Sequence, residues 1–398
     1  MNLDFMPSPS PEHPGLFIRD PYRFSDAMLV IPPPLVECLQ CFDGSQTDLD
    51  LRAALVSITG DLQVGQLAQH LAETLSAAGF LEDAQYAEIQ QERKREFAEA
   101  TVREPSHAGS AYPADTDEMR QTMGQWMEGA EPLAQANGDL FAIAAPHVSP
   151  QGGWQSYRAA YGMLRPEHKD RTFVILATSH YGEPETFGLT RKTFRTPLGD
   201  APTDAALVDR LAARGGKGVA MEDYCHRFEH TVELQVIFLQ HVLGPGVKIL
   251  PILVGPFARS IYQGGDPEDD DRVKAFFEAL GELREREGDR LFWVMGVDMA
   301  HMGARYRDPF AAIAGEGAMQ EVGVRDERRI ERINALDAGG FWDLVRQRED
   351  DLKWCGSSPF YTFLKTAPKA RGELLKYQQW NIDDNSVVSF AGMGFRKA

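Results

Sequence analysis

Three histidines of this chain fall where short apolar runs end, a place where side chains can converge. They are His147 in Ala145-Pro146-His147, His180 in Thr178-Ser179-His180, and His301 in Gly296-Val297-Asp298-Met299-Ala300-His301. A cysteine, Cys355, lies in Trp354-Cys355-Gly356-Ser357-Ser358-Pro359, a Gly/Ser turn ahead of an apolar segment. Two imidazoles and a thiolate suit Fe, Cu or Zn, and three protein ligands leave positions open for water, substrate or dioxygen. A helix N-terminus and a metal would both lower the Cys355 thiol pKa, which favours the ligating thiolate. Taken singly, however, a histidine is most often structural or on the surface, and a lone cysteine is most often a small buried hydrophobe. Successive separations of 33, 121 and 54 residues do not by themselves assemble these four into one site.

The elements that would position them follow from the pattern of apolar runs. Buried strands are predicted at Leu140–Ala145, Thr172–Thr178, Lys248–Val254 and Leu291–Val297, with helices at Tyr157–Leu164, Asp204–Arg214, Glu229–Leu243 and Asp271–Glu287. Alternation of this kind predicts an α/β fold with a central, mostly parallel sheet flanked by helices. Two further strands are expected near Glu373–Trp380 and Val387–Phe395. In open parallel sheets ligands gather beyond the carboxyl ends of the strands, where His147, His180 and His301 are placed. The acidic run Gly264–Arg272 reads as a solvated loop.

Ahead of this region, Gly15–Pro32 alternates as a β-hairpin, and helical segments follow near 34–42, 48–57 and 64–79. The chain is therefore divided into a small module at 1–83, a charged helical linker at 84–104 and an α/β domain at 105–398. Four cysteines in 398 residues do not make a disulfide framework. Cys38 and Cys41 form a C-x-x-C pair without a second pair, which reads as core. Cys225-His226 reads as exposed loop, with a weaker metal role as the alternative. A net charge of −18 argues against nucleic acid and anionic membrane as partners. No apolar run approaches the ~20 residues that span a bilayer, and no signal sequence is visible, so a cytoplasmic location is expected.

Eight short motifs then occur in order: His107-Ala108-Gly109-Ser110-Ala111-Tyr112, Ala145-Pro146-His147, Ser179-His180, Arg195-Thr196-Pro197-Leu198, Glu229-His230-Thr231-Val232-Glu233, Pro251-Ile252-Leu253-Val254-Gly255, Asp298-Met299-Ala300-His301-Met302-Gly303 and Cys355-Gly356. On these the chain resembles the Memo family, known in prokaryotes as protein B of the AmmeMemoRadiSam system. That family is similar in fold to the class III extradiol ring-cleaving dioxygenases, with cysteine replacing a carboxylate ligand. The resemblance implies His147, His180 and Cys355 as metal ligands. It implies His301 as the nearby acid/base or oxygen-contacting histidine, with Asp298 as its outer partner. His230 and Glu233, three apart on a helix, would share a face turned to the site; a helix-capping or core pair is the alternative. Two departures stand out. Val148-Ser149-Pro150 replaces the family's usual Ala-Gly-Tyr, and Tyr181 replaces a second histidine, which together imply a specialised substrate.

Residues 14–82 resemble the PqqD-like winged-helix fold on Arg19-Asp20-Pro21-Tyr22-Arg23-Phe24, the strand to Ile31-Pro32, and Phe42-Asp43-Gly44-Ser45-Gln46-Thr47. In that fold a peptide adds as a strand beside the hairpin. A structural cap or dimerisation unit is the alternative. The expected function is a non-heme Fe(II) oxidase or dioxygenase, acting with dioxygen on a small aromatic or peptide-borne substrate, with Cu or Zn as other metals the donors would accept. The competing expectations are an adaptor that binds peptide through the N-terminal module and a copper-handling protein. Neither a Gly-x-Ser-x-Gly elbow nor a His-Glu-x-x-His helix is present, which argues against a hydrolase.

Overall fold

The computed structural model describes residues 3–129 and 139–397. Two compact units divide the chain at Glu99/Ala100.

In the first unit the hairpin strands Leu16–Arg19 and Met28–Ile31 pair antiparallel, and a strand the sequence reading did not anticipate, Asp4–Pro7, adds on the far side of Leu16–Arg19. A 3-10 helix at Pro33–Phe42 and helices Asp48–Thr59 and Gly65–Ala77 follow. Thr47 and Asp50 form a reciprocal capping box that starts the first α-helix, and Gly60, at φ 72°, ends it. Cys38 is fully buried with Ile18, Leu55 and Leu75, as a core cysteine should be. The charged helix expected to be a linker belongs instead to this unit. It runs Ala84–Glu99, buries Phe97, and fixes Arg93 to the Phe24 carbonyl at 3.1 Å and to Asp26 at 2.6 Å. Its few anchoring residues made it look unattached in sequence.

The second unit is α/β, with a nine-stranded, mostly parallel sheet flanked by helices. Its order is Val219–Met221, Phe187–Leu189, Lys248–Val254, Thr172–Thr178, Leu291–Gly296, Leu140–Ala145, Ser386–Lys397 and His301–Gly303, with Ala370–Asp383 paired to Ser386–Lys397. The four long strands in the middle are parallel; Phe187–Leu189 and the C-terminal strands join antiparallel. Side chains alternate between two cores, as a sheet covered on both faces requires. Phe173, Ile175, Phe292 and Val294 pack with Tyr157, Val232 and Phe238. Val174, Leu176, Trp293 and Met295 pack with Phe276, Trp342 and Phe360 on the other side.

Several local readings change. The helix after the strand Leu140–Ala145 runs Pro150–Tyr161 rather than from Tyr157, because Pro150 starts it at a position where a missing N–H costs nothing. Gly264–Arg272 is not simply solvated. Pro267 is buried, Glu268 accepts the Tyr361 hydroxyl at 2.8 Å, and Asp270 caps the helix Asp271–Glu287. Cys225 and His226 are buried rather than exposed, since His226 Nε2 donates to the Gly188 carbonyl at 3.0 Å. No helix among the described residues is long and apolar enough to cross a membrane.

Candidate metal centre

The carboxyl ends of three adjacent parallel strands deliver His147, His180 and Asp298 to one place. The helix His230–Leu243 contributes its first residue, and the loop before the helix Ser357–Thr366 contributes Cys355. Ring centroids of His147 and His180 are 5.0 Å apart, those of His147 and His230 5.3 Å, and those of His180 and His230 5.1 Å with the planes nearly parallel. One nitrogen from each of these three imidazoles lies within 4.8 Å of the others. Cys355 Sγ sits 3.2 Å from His147 Nε2 and is also hydrogen-bonded to His180. His147 is buried, whereas the His180 and His230 side chains are 30% and 31% exposed, so the group opens to solvent on their side.

The second nitrogen of each ring is held, and this decides which nitrogen is free. His147 Nδ1 lies 2.9 Å from the Gly296 carbonyl; a carbonyl only accepts, so Nδ1 carries the proton and Nε2 offers its lone pair towards Cys355. His180 Nδ1 and His230 Nδ1 each lie 3.1 Å from Glu229 Oε1. Glu229 also accepts the His180 and His230 backbone N–H groups at 2.8 and 3.0 Å. One buried carboxylate thus orients two imidazoles. Asp298 Oδ1 accepts the backbone N–H of His147 at 2.9 Å and of Val148 at 3.2 Å, fixing the turn that presents His147.

Cys355 is placed by its neighbours. Thr178 Oγ1 donates to its carbonyl at 2.9 Å, and the Gly356 N–H donates to the Asp298 carbonyl at 3.0 Å. A Cβ at position 356 would come within 2.7 Å of that carbonyl oxygen and of Val297 Cβ, so only glycine permits the approach.

Burial and charge set the protonation states. Burial pushes the Cys355 thiol up, but the charge and hydrogen bond of His147 and the hydrogen bond of His180 outweigh it and bring it down to about 7. Burial disfavours a charged His180, yet Glu229 and Cys355 hold its pKa well above the ordinary value, and Glu229 in turn is held well below the usual carboxylate range. Burial lowers the His301 pKa and raises that of Asp298. His301 lies beside this group, its Nδ1 2.9 Å from the Met299 carbonyl and 3.0 Å from the Lys353 carbonyl, so Nε2 is its free acceptor. Tyr306 packs edge-on against it at 5.0 Å.

His147, His180, His230, Cys355, Asp298 and His301 are therefore brought together, whereas Glu233 does not share their face. It is fully buried and accepts from Arg103, the Tyr112 hydroxyl, and the Ser106 and His107 backbone N–H groups, a structural role that the three-residue spacing could not distinguish from a site role. Sequence reasoning assigned no role to Glu229, although its position immediately before His230 at a helix start was the available signal. It also gave none to His107, whose ring stands 5.5 Å from that of His230.

An α/β sheet carrying imidazoles and a thiol beyond its parallel strands defines a class of protein with a metal-type donor cluster, and sequence comparison narrows the class. Residues 103–394 match the family described as Memo-like protein, and the chain belongs to that family. A MEMO1 family protein of Aquifex aeolicus is 25% identical over 382 residues, covering 95% of both chains. Others from Thermococcus kodakarensis and Methanococcoides burtonii are 30% and 28% identical, covering 74% and 73% of this chain and 100% and 99% of their own.

Proposed function

We propose that the protein is a metal-dependent oxidoreductase that uses Fe(II) and dioxygen on a small aromatic or peptide-borne substrate. The observation that carries this reading is the donor set itself: Nε2 lone pairs of imidazoles held through Nδ1, beside a thiol poised near neutral pH. His147, His180 and Cys355 would hold the metal, with His230 available as a further donor. Such a set fits Fe(II) and also accepts Cu or Zn. A redox-active metal bound there would supply electrons to dioxygen and open positions for dioxygen and substrate. The protein's own part is orientation and proton movement. Glu229 and the Gly296 carbonyl hold the rings, and Asp298 holds the turn at His147. His301, kept neutral by burial and anchored through Nδ1, offers Nε2 to take a proton from a substrate hydroxyl or amine and return it. Val148 packs with Tyr306 and Trp380, so the departure from the family pattern at position 148 falls in an apolar wall near the donors.

The test is metal analysis of protein purified without oxygen, wild type against His180→Ala, with spectra followed as air is admitted. Near-stoichiometric iron that is lost in the variant and responds to oxygen supports the reading. Equal metal in both proteins overturns it.

A second reading, peptide binding by the first unit in the PqqD-like manner, is favoured by one observation. The strand Met28–Ile31 pairs on one side only among the described residues, and Met28 and Val30 on it are 68% and 37% exposed. Replacing both by glutamate should abolish binding of an extended apolar peptide and leave metal content unchanged; binding that survives both changes rejects this surface.

A further inference from the structure

Asp326 lies outside every motif that carries the family likeness, on the helix Ala318–Asn334, yet it is fully buried and accepts three side-chain hydrogen bonds. Trp354 Nε1 donates to Oδ1 at 2.8 Å; the Tyr377 hydroxyl and Ser389 Oγ donate to Oδ2 at 2.7 and 2.6 Å. A carboxylate with no exposed surface is costly, and these donors offset that cost. What they connect is informative. Trp354 immediately precedes Cys355. Ser389 Oγ accepts the Ala300 N–H at 2.8 Å, and Ser389 exchanges backbone hydrogen bonds with Met299 and Ala300 at 2.8 and 2.9 Å. The two loops are also tied directly, since the His301 N–H donates to the Leu352 carbonyl and His301 Nδ1 to the Lys353 carbonyl. Asp326 thus links the segment presenting Cys355, through Trp354, to Ser389, which holds the segment presenting Asp298 and His301. Arg329, one turn further along the same helix, lies over the Trp354 ring at 5.1 Å and pairs with Asp350 at 2.8 Å, which blocks the indole from turning away.

We propose that Asp326 is a positioning residue that sets the place of the Cys355 thiolate relative to His147 and His180 by clamping Trp354 to Ser389. The inference rests on the donor-set reading above. A merely structural aspartate would lower stability and leave the ligand geometry of the folded protein alone; a positioning one changes how the thiolate meets a metal.

The experiment is Co(II) titration of the full metal-free chain, reading the near-ultraviolet thiolate-to-cobalt charge-transfer band together with affinity, for wild type, Cys355→Ser, Asp326→Ala, Asp326→Asn and Trp354→Phe. Asn keeps an acceptor for Trp354, and the two hydroxyls can rotate to accept from its amide, so it should retain the band. Asp326→Ala should lose most of the band and bind at least tenfold more weakly, and Trp354→Phe, which deletes one donor while keeping an aromatic ring in the same core, should move the same way. An intact band with wild-type affinity in folded Asp326→Ala, or in Trp354→Phe where the alanine variant is insoluble, overturns the clamp. A wild-type spectrum with no band, identical to Cys355→Ser, overturns the donor-set reading instead.

Discussion

Replacing Glu229 by glutamine is the sharpest single test of how the site is built. The carboxylate has 1% of its surface exposed and accepts two imidazole N–H and two backbone N–H groups, all within 3.1 Å. Glutamine keeps the shape and one acceptor, but its amide N–H₂ must face donors on one side, and the negative charge that makes the imidazoles stronger donors to a metal is gone. Replacing an outer partner of a single ligand costs roughly 10–100-fold in metal affinity. Because Glu229 holds both the ligand His180 and the further donor His230, the upper end is expected, about a hundredfold, or ~2.7 kcal/mol. The same change should leave His147 and Cys355 in place, so binding is weakened rather than abolished. The assay is competition for Zn²⁺ or Co²⁺ against a chelator of known affinity, at one fixed pH, with circular dichroism confirming an unchanged fold. A loss of less than about threefold would refute the reasoning, because His180 and His230 would then be held by something other than this carboxylate.

Other outcomes follow from the same geometry. His147→Ala and Cys355→Ala should each abolish metal retention and turnover, read by elemental analysis, and full retention in either removes that residue from the donor set. Gly356→Ala should weaken metal binding while the protein still folds, since its Cβ must displace the Asp298 carbonyl 2.7 Å away; unchanged affinity would show that the loop has room to yield. Arg103→Ala strands a fully buried Glu233 and should cost about 3–5 kcal/mol in denaturant unfolding; a loss under about 1 kcal/mol would mean that Glu233 takes up a proton instead. The metal-free protein should also show a two-sided pH dependence. The raised His180 contributes stability that is complete below the unfolded value of roughly 6.5 and fades as pH climbs towards its folded value. The depressed Glu229 contributes stability that is complete above roughly 4.3 and is lost as pH falls below it. Urea midpoints across that range should peak between the two values, and Glu229→Gln should flatten both sides.

What could be read from sequence was whatever repeats with the period of the backbone. Leu140–Ala145, Thr172–Thr178 and Leu291–Gly296 are continuous apolar runs because both faces of those strands are covered, and their ends located His147, His180 and the segment that leads to His301 from sequence alone. Short strands such as Phe187–Leu189 and Val219–Met221 left no such trace, since three residues carry too little pattern to separate from loop. Asp4–Pro7 was hidden for the same reason, as four residues in a Pro-rich segment. Side-chain partnerships were the least legible. His230 and Glu233 have helical spacing that fits a shared face, yet the helix starts at His230, so its ring can swing out to the donors while Glu233, one turn in, is locked behind Arg103.

Glu229 and Asp326 were missed on different grounds, and the difference bears on how the site divides its charge. Glu229 stands one residue before a recognised histidine, and only the geometry of the helix start reveals that its carboxylate reaches both His180 and His230. Asp326 is distant in sequence from everything it holds. The imidazoles fall into two pairs accordingly. His147 and His301 are anchored by backbone carbonyls, which fix a tautomer without adding charge, whereas His180 and His230 share one anionic carboxylate, so the charge of the ligand-holding groups is concentrated behind the exposed side of the site.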